Sequence, residues 1–249
     1  MRRRALIAVL GLVLAGCGTV RSQAQQPQAA ATPHPQRYAV LANADGARDH
    51  KGNIALAYRT LRALGFEERH IFVASPKDRR NPLSKATPVC SPVPANFAQV
   101  MDRLATVTHA GDTVVIYGTG HGDFDGGGVF LALRHGELRP AELRVEVERL
   151  PANVIVIMDQ CFSGGFVEGF EGTKGKIIVI SDVDSTHETY CAYFTQAFWE
   201  SFLRDHKTSV RQAFDAAMKV HQRELARDPD LKTDGAYRFF NGFSDATLN

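Results

Sequence analysis

Apolar residues in this chain gather into short, nearly unbroken runs separated by longer stretches of helical periodicity. Two runs are the strongest: Val114, Val115, Ile116 and Tyr117, then Val154 through Met158. Runs of this length bounded by turn residues predict strands buried on both faces of a parallel sheet. Residues 38–43 and 71–74 read as two further strands, and 177–180 as a fifth. Between them the spacing predicts helices over 53–64 (closed by Gly65), 95–108, from Pro140 to near Leu150, 193–203 and 210–226. The stretch 76–94, punctuated by Pro82, Pro88 and Pro92, reads as a loop. Strands alternating with helices imply a three-layer α/β fold with a mostly parallel central sheet.

The amino terminus departs from this pattern. Arg2, Arg3 and Arg4 precede an apolar run from Ala5 to Leu14 that is too short to span a bilayer, which is the layout of a bacterial secretory signal. The run ends in Leu14-Ala15-Gly16-Cys17, which resembles the lipobox of bacterial lipoproteins. That resemblance implies cleavage before Cys17 and lipidation of its thiol. The alternatives are an ordinary cleaved signal and an uncleaved anchor. The expected organisation is a signal over 1–16, a lipidated Cys17 with a tether over 17–36, and one domain over 37–249. The tether, rich in Gln, Ala, Pro and Ser, would reach at most roughly 60 Å at about 3.3 Å per residue. The expected location is the bacterial envelope, lipid-anchored to the outer or inner membrane and facing the periplasm.

Charge argues against one class of partner. The full chain carries a formal +2, but residues 1–16 hold three arginines and no acid, leaving 26 basic against 27 acidic residues and a formal −1. The apparent basicity belongs to the signal, so no nucleic-acid partner is expected.

Each of the two strong strands runs into a glycine-flanked reactive side chain. One leads through Gly118-Thr119-Gly120 to His121-Gly122, the other through Asp159-Gln160 to Cys161-Phe162-Ser163-Gly164-Gly165. Neighbouring parallel strands lie about 4.8 Å apart and carry chemistry at their carboxyl ends, so His121 and Cys161 could share one cleft. A thiol with an ordinary pKa near 8.5 is mostly protonated at neutral pH, and an adjacent imidazole can take that proton and later return it to a leaving amine. Such acid-base help is worth about 10²- to 10⁴-fold. Taken singly, His121 reads equally as a structural or metal-binding residue and Cys161 as an inert buried thiol. Asp123-Phe124-Asp125-Gly126 invites a calcium reading, but an EF-hand-like loop starting there needs glutamate where Arg134 stands, and a hairpin turn is the better account. No His/Cys pair has zinc-ligand spacing, so neither metal nor cofactor is expected. With Cys17 assigned to lipid, Cys90, Cys161 and Cys191 remain. An odd count in an oxidising compartment suggests one pair and one reactive thiol, leaving Cys90 and Cys191 as a candidate disulfide or as two separate buried thiols.

Apolar strand then His-Gly, followed by apolar strand then Asp-x-Cys-x-Ser-Gly, resembles the caspase-fold cysteine peptidases, the clan of caspases, metacaspases, gingipains, legumain and the catalytic subunit of GPI transamidase. The helix ending in Leu61-Arg62-Ala63-Leu64-Gly65-Phe66 and the following Glu67-Glu68-Arg69-His70-Ile71 look most like the legumain and GPI-transamidase branch, the Asp159–Gly164 segment most like metacaspases. The resemblance implies a caspase-like fold, a His121/Cys161 dyad, and an oxyanion site from the backbone N–H groups of Gly122 and Cys161. It further implies a substrate pocket walled by Asp159, Ser181 and Asp182, with Asp49 and His50 before the first helix. An acid facing the cleft would select Arg or Lys at P1. Asp49, where legumain places an arginine, departs from that enzyme's pattern. The expected activity is endopeptidase cleavage of a peptide or protein substrate; a transpeptidase or ligase, and a non-catalytic binding module, are the alternatives.

Overall fold

A computed structural model of the chain describes residues 34–43, 47–76, 83, 89–189, 192–226 and 235–249. Signal, Cys17 and most of the tether lie outside the described residues, as does Cys191, and with it the expected Cys90–Cys191 pairing. Among the described residues no helix is long and apolar enough to cross a membrane.

Residues 35–249 form one compact unit. Its centre is a seven-stranded sheet of β1 (Arg37–Asn43), β2 (Ile71–Ala74), β3 (Val89–Cys90), β4 (Thr113–Thr119), β8 (Asn153–Asp159), β9 (Ile177–Ser181) and β10 (Ala236–Phe239). They lie in the order β10-β9-β8-β4-β1-β2-β3. All neighbours are parallel except β10, which runs antiparallel to β9. The sheet is covered on both sides, which gives the three-layer α/β architecture that the alternating pattern predicts. Strand alternation assigns the faces. Ala39, Leu41, Val115, Tyr117, Ile155, Ile157, Ile178 and Ile180 pack under α1 (Arg48–Ala63), α5 (Ala192–Arg204) and α6 (Val210–Leu225). Val40, Val114, Ile116, Val154, Val156 and Val179 pack under α2 (Pro94–Val107), α3 (Pro140–Glu148) and α4 (Gly164–Gly169).

Local chemistry fixes the helix starts. Pro94 and Pro140 open α2 and α3, where a missing N–H costs nothing. Ser209 and Gln212 exchange side-chain to main-chain bonds at the head of α6, at 3.2 and 2.9 Å. In α5, Phe194, Phe198, Trp199 and Phe202 lie on one stripe and are buried together against the sheet. The first helix starts at Arg48, five residues before the expected Asn53, so Asp49 and His50 belong to its first turn.

Several elements are additions to the sequence pattern. A small antiparallel meander of β5 (Gly122–Asp125), β6 (Gly128–Leu133) and β7 (Gly136–Leu138) follows His121 at once. The hairpin turn expected over Asp123–Gly126 falls at Gly126-Gly127, with Asp123 to Asp125 in β5, and Asp125 Oδ1 accepts the Gly127 N–H at 2.7 Å. The others are α4, β10 and β3, whose Val89 and Cys90 pair with β2 inside the stretch 76–94 expected as a loop.

Candidate active site

The sheet sets His121 and Cys161 at equivalent positions. Strands β4 and β8 pair in parallel from Thr113↔Asn153 to Thr119↔Asp159, and each reactive residue follows two places after the last pair. The loops are in contact: a β-carbon built on Gly122 would collide with the Cys161 carbonyl and lie 2.6 Å from Gln160 Cγ. Gly120 takes a φ of +146°, which glycine adopts without strain just before the histidine. His121 is exposed, and its ring meets that of buried His50 edge-on at 5.3 Å.

The backbone around Gly122, one of the two expected oxyanion donors, can be followed. The Ala132 N–H donates to the His121 carbonyl at 2.9 Å, and Gly122 stands opposite Leu131. In an antiparallel ladder that arrangement makes Gly122 and Leu131 a non-hydrogen-bonded pair, so the Gly122 N–H is not spent on β6.

Cys161 is partly buried and held by a segment downstream of β9. The Thr189 N–H donates to Sγ at 3.5 Å, and the Thr189 carbonyl lies 3.8 Å from Sγ as an acceptor for the S–H. Burial pushes the thiol pKa up, with the charges of Glu188 and Asp182 adding to the effect and the Thr189 N–H opposing it. The resting sulfur is therefore a neutral thiol at neutral pH, and attack requires a base. The next residue, Phe162, takes a left-handed φ of +61°, a conformation costing a phenylalanine on the order of 1 to 3 kcal/mol. It is held there by its N–H to the His187 carbonyl at 2.9 Å and by edge-on packing on Phe124 at 5.1 Å.

The expected pocket residues divide. His50 lies against His121, while Asp49 is exposed on the first turn of α1. Asp159, Ser181 and Asp182 are fully buried. Asp159 Oδ2 accepts from the Tyr117 hydroxyl at 2.7 Å, and that hydroxyl also lies 3.1 Å from Thr195 Oγ1. Desolvation and the Asp159 charge hold the Tyr117 phenol far above its usual range. The carboxylate expected to face a P1 side chain thus has no exposed surface and is engaged beneath the strand ends. Ser181 Oγ accepts from the Ala236 N–H at 3.1 Å. Asp182 lies behind the thiol, with Oδ1 accepting from Ser163 Oγ at 2.8 Å and Oδ2 from Thr189 Oγ1 at 2.5 Å. Burial pushes its carboxyl up to about 7.

Sequence reasoning missed the segment 183–189. Its role comes from backbone groups of His187 and Thr189, and main-chain contacts leave no residue-type signal. Beside the nucleophile turn opens a groove of about 600 Å³ lined by Phe124, Val129, Arg139, Pro140, Glu168 and Ser185 among others. Phe124 is 61% exposed at its rim. Among the described residues no group of three or more His, Cys, Asp or Glu side chains is placed to hold a metal ion.

Fold and site together define a three-layer α/β protein with a histidine and a cysteine at the carboxyl ends of adjacent central strands. No protein-family model matches the sequence, and no curated protein matches it. Among solved structures it is similar to the crystal structure of protein GSU0716 from Geobacter sulfurreducens, with a TM-score of 0.56 and 16% identity over 86% of this chain and 98% of that one. A likeness at that identity speaks to the fold alone.

Proposed function

We propose that this chain is a cysteine peptidase with a caspase-like fold, in which His121 and Cys161 form the catalytic dyad. The observation that carries the reading is the parallel register of β4 and β8, which ends at Thr119↔Asp159 and leads both residues out of the same sheet end. The packing of Gly122 on the Cys161 carbonyl supports it.

The chemistry follows from the site's own groups. His121 takes the thiol proton as sulfur attacks the scissile carbonyl, which a thiol raised by burial requires. The oxyanion that forms is met by the Gly122 and Cys161 N–H groups, each such donor being worth about 10²- to 10³-fold. His121 then protonates the leaving amine, and water resolves the acyl-enzyme. The groove beside Phe124 and Arg139, which reaches Gly165 four residues after Cys161, offers room for an extended polypeptide. The signal and lipobox resemblance support an envelope anchor through Cys17, with the peptidase domain held off the membrane.

The test uses the detergent-solubilised full chain. A peptide electrophile directed at thiols should label Cys161 in the wild type, and not in Cys161→Ala or after an acyl-competing peptide. Absence of labelling at Cys161 in folded protein would favour a binding module and defeat the peptidase reading.

A further inference from the structure

We infer that Asp182 is a positioning residue for the Cys161 sulfur, acting through the side chains of Ser163 and Thr189. The consequence for turnover rests on the peptidase reading, while the effect on thiol reactivity does not.

One fully buried carboxylate joins the two segments between which the sulfur lies. Ser163 follows Cys161 by two residues and donates to Oδ1 at 2.8 Å; Thr189 belongs to the segment after β9 and donates to Oδ2 at 2.5 Å. Thr189 also makes both main-chain contacts with the sulfur. These contacts suit different states. A thiol donates to the Thr189 carbonyl, and a thiolate accepts from the Thr189 N–H. The same short segment therefore serves the sulfur before and after it loses its proton, provided its orientation is fixed. Asp182 fixes it from one side, and the bond from the Phe162 N–H to the His187 carbonyl fixes it from the other. A third contact allows little slack, because a β-carbon on Gly164 would stand 2.5 Å from the Asp184 and Ser185 backbone. The other side-chain bonds of this loop, joining Asp184, Thr186 and His187 to one another and Ser185 to Glu168, are partly buried or exposed. The Asp182 bridge, by contrast, is fully buried and reaches both flanks of the sulfur.

The carboxylate has a second, separable effect. Its charge raises the thiol pKa, so Asp182→Asn removes charge and one acceptor together, whereas Thr189→Val and Ser163→Ala remove a hydroxyl bond and no charge. The experiment follows iodoacetamide alkylation of Cys161 against pH by peptide mapping of the full chain, alongside kcat and KM for any cleaved peptide. Thr189→Val is expected to lower kcat by roughly 10- to 100-fold with KM little changed, as a displaced nucleophile would. It should also shift the alkylation profile, and Thr189→Ser, which keeps the hydroxyl, should recover most of the loss. Ser163→Ala should act in the same direction but less strongly. Asp182→Asn should shift the alkylation profile most.

Wild-type kcat and a wild-type alkylation profile in both Thr189→Val and Ser163→Ala would overturn the inference, even with the dyad intact. Shifted alkylation profiles in a chain that cleaves no peptide would leave the positioning role standing and remove the peptidase reading. If Asp182→Asn does not fold, the two milder variants decide the matter.

Discussion

The two halves of the proposed dyad sit in opposite surroundings. His121 is exposed, enters from a glycine with positive φ and leads straight into a solvent-facing meander; Cys161 is partly buried and surrounded by fixed backbone. A base must exchange its proton with sulfur, leaving amine and finally water, so solvent access serves it. A nucleophile has one trajectory to keep. On the cysteine side Ser163 and Thr189 are cross-linked through buried Asp182, and on the histidine side the His121 ring packs edge-on against His50.

The largest effect should come from removing either member. Cys161→Ala and His121→Ala are each expected to lower peptide cleavage by at least about 10³-fold, and the double variant should be little worse, since the residues act as a unit. Folded Cys161→Ala that still cleaves at the wild-type rate would end the assignment. Next in size is Gly122→Ala. Its new methyl meets the Cys161 carbonyl, so the two loops must part, with an expected fall in kcat of about 10²-fold, the value of one oxyanion donor. Unchanged kcat would mean that the two loops do not cooperate.

Asp159→Asn should have a smaller and uniform effect. Because the carboxylate is buried and bonded to Tyr117, a fluorogenic panel varied at P1 is expected to lose activity alike for Arg, Asn and Ala. A loss confined to Arg and Lys substrates would instead make Asp159 the selector that the sequence suggests. Tyr117→Phe leaves that carboxylate short of a donor and should destabilise the fold by about 1 to 3 kcal/mol, read by urea unfolding.

The smallest effects concern pH. Burial lowers the His221 imidazole to about 4, below its unfolded value near 6.5, so its contribution is present above 6.5 and lost as pH falls toward 4. His221→Leu should therefore gain melting temperature relative to wild type over that window as pH drops. Asp182 has the opposite sign. Its folded pKa of about 7 lies above the unfolded value near 3.9, so its contribution declines as pH rises from 4 to 7. The difference between Asp182→Asn and wild type should shift in favour of the variant across that range. A flat difference curve for either would show that folding leaves that group's pKa unchanged.

The comparison also marks what the sequence could carry. The buried strands were legible because their Val and Ile runs are continuous, and the five helices because they are periodic or opened by proline. The meander was not, since Gly122-Asp123-Phe124-Asp125 is short, exposed and glycine-rich. β10 escaped because it is a four-residue edge strand with no strong alternation. His121 and Cys161 stand out through glycine flanks, whereas the brace on Cys161 joins residues up to 28 positions away through backbone and hydroxyl groups. Asp159 was visible as an acid near the cysteine; that it turns inward depends on Tyr117, a partner set by strand register.

The sheet's two borders bear on how such a domain behaves among its neighbours. One border is the two-residue strand Val89–Cys90, and the other is a short strand, Ala236–Phe239, that reverses direction. Long, flat edges recruit strands from other chains, and short or reversed ones offer few consecutive unpaired amides. At high local concentration, edge-to-edge association is the main hazard for a sheet protein. These abbreviated borders let the central strands remain wide, apolar and parallel without inviting a neighbour's backbone to extend them.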